Sequence, residues 1–569
     1  MINNEKNIDI IVSALKAHNI RHIVISPGGT NICFVRKVQK DSFFKCYSVV
    51  DERSAMYVAI GIYLQTEEIV ATSCTSAQAT RNYIPGLTEA YYKRVPILAL
   101  TMEKHTRFKY QEYMQAPDQT SLPKDCVKAS YELPAIADEN DILFSNRLVN
   151  EAILELNHNG YGPVQLCIPW LDFQLSRNDI NYRYIKRYEY NTEWDVVLSN
   201  KKVLMVVGEQ LPFNAKEQEL FDEFCTNYNV VVYCNHLSNC HGKFVVNANL
   251  ALSTIKLSEF LRYKPDIVIA LGGQTGDYPL YKIISKNELI DVEVWRVNRD
   301  GAIIDTYDKL TKVFAVSNSE FFMKMNELCF ARSTHDYFEL WSCLISRTKR
   351  DIEVPFSNIY TAQKMSKVIP NNSILQLSIL NSLRTWSLYE IDKSVECYSN
   401  VGAFGIDGGM STLIGQSLAT DKMCFMIIGD LAFLYDMNSI SIRGIKNNVR
   451  ILLVNNNGGI EFKMDSMNDY EFIDKYIAAG DHFKNAEGWA NVCGFKYMRA
   501  GTKQEFDSKI TEFVSASEKP IIFEIFVSDV DEAKAYKTII DTNTSYNFEE
   551  KAAMGKQALK NGLKKMIGK

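Results

Sequence analysis

The stretch Met426-Ile427-Ile428-Gly429-Asp430-Leu431 decides the reading of this chain. It is answered by Leu452-Leu453-Val454-Asn455-Asn456-Asn457-Gly458-Gly459, in which Asn457 lies 27 residues beyond Asp430. Each segment is an apolar run of strand length that ends in small and polar residues, and the spacing accommodates a strand–helix–strand crossover. Such a crossover makes neighbouring parallel strands. It sets a carboxylate (Asp430) and an amide oxygen (Asn457) side by side at strand exits. Both are hard oxygen ligands, suited to Mg²⁺, which also retains phosphate oxygens. Gly429 lets backbone approach a phosphate closely, and Gly459 offers an unobstructed carbonyl. The plainer reading is two ordinary turns after two strands.

The same logic extends outward. Around the motif, Ser373–Leu377, Met423–Ile428, Val449–Val454 and Pro520–Val527 are predicted as strands with helices after each. In the first 170 residues Ile23–Ser26, Lys45–Val50, Ile69–Cys74, Val95–Thr101 and Val164–Ile168 are predicted strands, with Ser54–Leu64 and Ala77–Tyr92 as helices. Between these blocks lie the strand-like runs Lys202–Gly208, Asn229–Tyr233, Asp266–Gly273 and Val292–Val297. Alternation of this kind predicts doubly wound parallel sheets covered by helices on both faces, so the fold class is α/β with three such units. The polar stretch 175–200 and the mixed stretch 328–358 read as connections.

Composition narrows the function. The chain has 569 residues, 63 Lys plus Arg against 68 Asp plus Glu, and a net charge of −5, too balanced for a generic nucleic-acid binder. A 46% hydrophobic content excludes disorder, and no apolar run reaches the ~18 residues of a membrane span. The start, MINNEKNIDI, lacks a secretion-signal pattern, and the 13 cysteines form no CxxC pair, so a reducing cytoplasm is expected. Cys234, His236, Cys240 and His241 are zinc-competent, but half of a finger pattern is missing. The tail 546–569 is a basic amphipathic segment that would dock on its own protein or, less commonly, touch a membrane.

A second feature is Val49-Val50-Asp51-Glu52-Arg53-Ser54-Ala55, where Glu52 falls between a strand and a helix. Alone it is a helix N-terminal glutamate favoured by the macrodipole. Paired with the Gly-Asp and Asn-Asn motif it resembles the thiamine-diphosphate enzymes that decarboxylate 2-oxo acids, which need a carboxylic acid against the aminopyrimidine ring. The resemblance is closest to the SEPHCHC synthase family of menaquinone biosynthesis. It rests on Ile25–Gly28, Asp51–Ala55, Cys74–Ser76, Asn82–Pro85, Glu89–Pro96, Gly405–Gly408 and Asn455–Gly459, in the same order from about residue 8 to 530. The resemblance implies a pyrimidine-binding domain (1–180), a central domain (195–335), a diphosphate-binding domain (355–545) and the tail. It also implies thiamine diphosphate and Mg²⁺ as cofactors. Glu52 and Gln115 would be catalytic. Glu52, Ile406, Gly429, Asp430, Leu431 and Asn457 would bind the cofactor, and Asp430, Asn457 and the Gly459 carbonyl the metal. That superfamily builds each site from two subunits, which implies a homodimer or homotetramer.

The family's substrate arginines are missing. Their positions read Thr30, Val401 and Trp386, although Arg384 lies close to the last and Ser382 is kept. The family's Thr-Ser-Lys-Arg segment reads Thr275–Tyr278. Arginine is the usual grip on carboxylates, and each charge-assisted bond is worth about 1.5–3 kcal/mol, so recognition of isochorismate and 2-oxoglutarate should suffer. Arg81, Arg107 and Lys109 are candidate replacements. The leading expectation is therefore a carboligase that decarboxylates a smaller or less acidic 2-oxo acid, such as pyruvate, and passes the carbanion to an unknown small-molecule acceptor. The alternatives are a genuine divergent SEPHCHC synthase, a simple decarboxylase, and a cofactor-binding protein without turnover.

Overall fold

The computed structural model describes residues 4–170, 185–464, 473 and 475–544. Nineteen strands form three sheets, and every strand pair within them is parallel. The first holds β1 (His22–Ile25), β2 (Lys45–Ser48), β3 (Val70–Cys74), β4 (Ile97–Lys104), β5 (Ala129–Glu132) and β6 (Val164–Trp170), in the order β2-β1-β3-β4-β6-β5. The second holds β7 (Lys186–Tyr188), β8 (Val203–Val207), β9 (Val230–Cys234), β10 (Val245–Val246), β11 (Ile267–Leu271), β12 (Glu293–Val297) and β13 (Leu310–Phe314), in the order β10-β9-β8-β11-β12-β13-β7. The third holds β14 (Ile374–Leu377), β15 (Glu396–Tyr398), β16 (Cys424–Gly429), β17 (Val449–Asn455), β18 (Lys496–Ala500) and β19 (Ile521–Phe526), in the order β15-β14-β16-β17-β19-β18.

Each sheet is sandwiched between two apolar layers, as expected when helical crossovers cover both faces. In β16, Phe425 and Ile427 face one layer while Cys424, Met426 and Ile428 face the other. In β1, Ile23 and Ile25 face one side and Val24 the opposite one. Alternation places every residue of such a strand in a core, so the central strands read as unbroken apolar runs. Each fully buried aliphatic side chain contributes about 1.5–3 kcal/mol.

Three expectations change. The stretch 175–200 contains β7, which pairs with β13 as an edge strand; its first part, 175–184, lies outside the described residues. The stretch 328–358 contains the helix Asp336–Ser346, which buries Tyr337, Trp341 and Leu344 on the second sheet. The helix expected over Ala77–Tyr92 is two, Gln78–Asn82 and Ile84–Lys93, with Pro85 in the first turn of the second. Proline belongs there because its missing N–H would have no helical partner.

The cysteines are all unpaired. Cys234 and Cys240 pack in the core of the second sheet, and His236 Nε2 lies 2.9 Å from the Trp386 carbonyl. Among the described residues, no three His, Cys, Asp or Glu are placed to share an ion. No helix among them is long and apolar enough to cross a membrane. The basic tail lies outside the described residues.

Candidate active site

The carboxyl ends of the first and third sheets face one cavity of about 1100 Å³. Glu52 enters it as the first residue of the helix Glu52–Thr66, whose N-cap Asp51 accepts from the Ser54 amide at 3.2 Å. Only 6% of Glu52 is exposed. Burial pushes its pKa up to about 7, against the hydrogen bond it accepts from the Tyr435 hydroxyl. Asn82 donates to that same hydroxyl at 2.7 Å and to Asp407 Oδ2 at 3.3 Å. A relay of Asn82, Tyr435 and Glu52 thus joins the two sheets within one chain, whereas the resemblance implied that facing blocks come from two subunits.

Asp430 opens the helix Asp430–Asp436 directly after β16. Its carboxylate accepts from the Leu431 amide at 2.7 Å and the Gly458 amide at 2.9 Å. Burial raises its pKa to about 6. Across the gap stands the turn after β17. There Asn456 lines the cavity with a buried Oδ1 that has no hydrogen-bond partner. Asn457, at φ 61°, is exposed, and its Oδ1 accepts from the Asp481 amide at 3.0 Å. It does not line the cavity. Gly458 has φ 133°, and a Cβ there would meet the Ala478 carbonyl at 2.5 Å, so only glycine lets the turn close. A Cβ on Gly429 would meet nothing within 4 Å, which leaves room for a ligand against the strand end. A carboxylate, an orphaned amide oxygen and open backbone suit a divalent cation carrying an anionic group.

Gln115, Ser382, Ile406, Leu431 and Gly459 also line the cavity. Gln115 holds φ 58°, a left-handed conformation that aims a non-glycine residue at a cost. Thr30 and Val401 do not line it. Thr30 shares a 2.8 Å hydroxyl contact with Thr75, Val401 lies in the apolar core, and Trp386 is fully buried with its indole donating to Asn358 at 3.2 Å.

None of the candidate replacement cations reaches the cavity. Lys109 sits among Glu103, Glu132 and Asp118 at 3.4, 3.6 and 3.9 Å. Arg107 pairs with Asp308 at 3.3 Å, and Arg81 donates to the Asp118 carbonyl at 2.7 Å. Arg384 pairs with Glu461 at 2.5 Å and lies over the Tyr278 ring. The charged residues lining the cavity are Glu52, Asp407, Asp430 and Glu461, with no Lys, Arg or His among the described residues. Sequence reasoning missed Tyr435, Asp407 and Glu461 as site residues. Tyr435 lies five residues after Asp430 on the same helix, but its partner Glu52 is 383 residues away.

Comparison with known proteins follows this geometry. The model of the thiamine pyrophosphate enzyme N-terminal TPP-binding domain matches residues 6–122. The chain is 31% identical over 557 residues to the 2-succinyl-5-enolpyruvyl-6-hydroxy-3-cyclohexene-1-carboxylate synthase of Bacteroides thetaiotaomicron, covering 94% of this chain and 98% of that one. It is 32% identical over 541 residues to the synthase of the same name from Phocaeicola vulgatus, covering 92% and 96%. With that of Flavobacterium psychrophilum the identity is 28% over 541 residues, covering 91% and 95%.

Proposed function

This chain belongs to the 2-succinyl-5-enolpyruvyl-6-hydroxy-3-cyclohexene-1-carboxylate synthase family of thiamine-diphosphate enzymes, and from that premise we propose that it decarboxylates a 2-oxo acid less anionic than the family's and transfers the acyl carbanion to an acceptor. One observation carries the altered-substrate part: the cavity is lined by four carboxylates and, among the described residues, by no Lys, Arg or His. A donor with a second carboxylate would find no cation there to grip it, and would forgo the charge-assisted hydrogen bonds that an arginine supplies.

In this reading the first sheet is the pyrimidine-binding unit and the third the diphosphate-binding unit. Thiamine diphosphate, when bound, supplies the electron sink for the carbon–carbon bond broken on loss of CO₂. Glu52 supplies the carboxyl group against the aminopyrimidine. Its raised pKa suits a group that holds a proton near neutrality and gives it up on demand. Tyr435, steadied by Asn82, orients the Glu52 carboxyl from the opposite sheet. Ile406, Leu431 and Gly429, which line the cavity, would help to hold the cofactor. Asp430, the Gly459 carbonyl and Asn457 would hold Mg²⁺. Asn457 must exchange its bond to the Asp481 amide for the ion. Gln115 and Ser382 are polar contacts for the donor, with Arg384 nearby and Thr30 and Val401 set back from it.

A panel of 2-oxo acids tests the proposal. CO₂ release that needs thiamine diphosphate and Mg²⁺, fastest with a monocarboxylic donor such as pyruvate, is the expected result. Failure with the whole panel while the cofactor binds would overturn it. The second reading, a genuine synthase of the family's product, is favoured by the 31% identity, over 94% of the chain, to a protein of that name. Incubation with 2-oxoglutarate and isochorismate decides it directly.

For the assembly, a cytoplasmic homodimer or homotetramer fits best. Tyr57, Val58 and Leu64 stand exposed on the helix that begins at Glu52, an apolar face next to the site that a second copy would cover. Sedimentation of a dilute active monomer would contradict this.

A further inference from the structure

The central sheet carries a crevice of its own, about 710 Å³ of space that opens to solvent. It opens beyond the carboxyl ends of β8, β11 and β12. There the strand order turns, since the chain passes from β8 to β9 on one side and places β11 on the other, the usual position for a ligand in an open α/β sheet. Its glycines suggest a phosphate cradle, but the backbone refutes it. The Gly208 amide donates to the Leu271 carbonyl, the Gly273 amide to Glu209 and the Glu209 amide to Gln274, at 2.9–3.0 Å. A Cβ on Gly208 would lie 1.8 Å from the Gly273 oxygen. Gly208 and Gly273 let two loops touch, and their amides are spent on the Leu271 and Glu209 carbonyls.

The charge pattern argues against an anion as well. Arg296, at the crevice wall, is held by both carboxylate oxygens of Asp300 and by Glu112 at 3.2 Å. Asp277, 4% exposed, accepts through Oδ2 from the Tyr233 hydroxyl at 2.7 Å and from Asn235 at 3.0 Å, while its Oδ1 has no hydrogen-bond partner. The Oε1 of Gln274, on the same wall, is also buried and unpartnered. A buried acceptor without a donor is costly, and two in one crevice ask for a ligand that supplies N–H groups. Tyr113, Tyr281 and Tyr307 add ring surface, with Tyr281 5.2 Å from Tyr113 and 6.3 Å from Tyr307. We propose that this crevice is a second ligand site, separate from the catalytic cavity, that takes an unphosphorylated planar molecule bearing an amino or amidinium group, its N–H donors met by Asp277 and Gln274.

Calorimetric titration of the full chain, with thiamine diphosphate and Mg²⁺ saturating so that the catalytic cavity is filled, tests this with benzamidine and adenosine as probes. ADP and benzoate serve as controls. Saturable binding of either donor-bearing probe, with affinity lowered at least tenfold in Asp277→Asn and at least threefold in Gln274→Ala, is the expected result. Asp277→Asn keeps the shape but can turn an amide donor toward the ligand's own donors. If that variant fails to fold, Gln274→Ala, on a half-buried loop, decides alone. No binding of either probe, unchanged affinity in the folded variants, or tighter binding of ADP than of adenosine or of benzoate than of benzamidine would overturn the proposal.

Discussion

The first and third sheets share one strand order, edge strands included, yet they give the cavity different things. The first supplies Glu52 after its outermost strand, β2. The third supplies Asp430 and the Asn455–Gly459 turn after β16 and β17, in the middle of the sheet. Identical topology therefore does not dictate which strand exit carries chemistry. The exits do, because only there does backbone leave the hydrogen-bond ladder and present side chains to a ligand. The two carboxylates also differ in partners. Asp430 is held by backbone amides of its own sheet, while Glu52 is held by a tyrosine hydroxyl from the opposite one.

The sharpest break of this comparison is to remove each carboxylate in turn. Asp430→Ala should abolish cofactor binding and turnover together, because it removes the anionic metal ligand. Glu52→Gln should leave the cofactor bound but lower kcat by roughly 10²–10⁴, the usual range for a lost general acid–base group. Cofactor titration alongside CO₂ release separates the two. Equal loss of binding in both variants would mean that the sheets do not divide the labour.

Stability in the cofactor-free protein gives the next largest effect. Burial pushes the Glu52 pKa in the folded protein up to about 7, against the ordinary 4.5 of a free glutamate. The native state then binds the proton more tightly than the unfolded chain. That contribution is complete below pH ~4.5 and is lost as pH rises through ~7, a difference of about 3 kcal/mol. Glu52→Gln cannot ionise, so it should be more stable than the wild type at pH 8–9 by up to that amount and about equal at pH 4.5. Denaturant midpoints at the two pH values check it. A variant that gains nothing at high pH would show that the Tyr435 contact offsets the burial of charge.

The metal turn is the smaller test. Asn457→Ala is expected to raise the Mg²⁺ concentration for half-maximal activity about tenfold or more, with Asn456→Ala weaker. The reverse order would assign the amide ligand to Asn456, a cavity-lining residue whose Oδ1 has no hydrogen-bond partner.

How much of this was legible follows from the same physics. Strands such as Val203–Val207 and Val230–Cys234 are buried along their whole length and so read as continuous apolar runs. The edge strands β5 and β7 expose every second residue or are built from Lys186, Arg187 and Tyr188, and local pattern cannot separate them from loop. Glu52 and Asp430 were readable because their motifs are local. Tyr435 was not, since its partner lies 383 residues away and a tyrosine on a helix usually packs in a core. Charge counting failed for Lys109 and Arg107, because the carboxylates that consume them come from other strands and from the central block.

That failure leaves one cation to examine. On the first-sheet side, Arg81, Arg107 and Lys109 are all committed elsewhere. On the third-sheet side, Arg384 is paired with Glu461, which does line the cavity, and both are at least two-thirds buried. If the pair recognises substrate, Arg384→Ala should raise KM for the donor about tenfold, or about 1.4 kcal/mol, and leave kcat nearly unchanged, the signature of lost uniform binding. Glu461→Gln should act oppositely on acidic donors. With its partner neutralised, Arg384 would favour 2-oxoglutarate over pyruvate relative to the wild type by several-fold. A parallel shift for both donors in either variant would make the pair structural, and the two sheets would then be alike in offering substrate no cation at all.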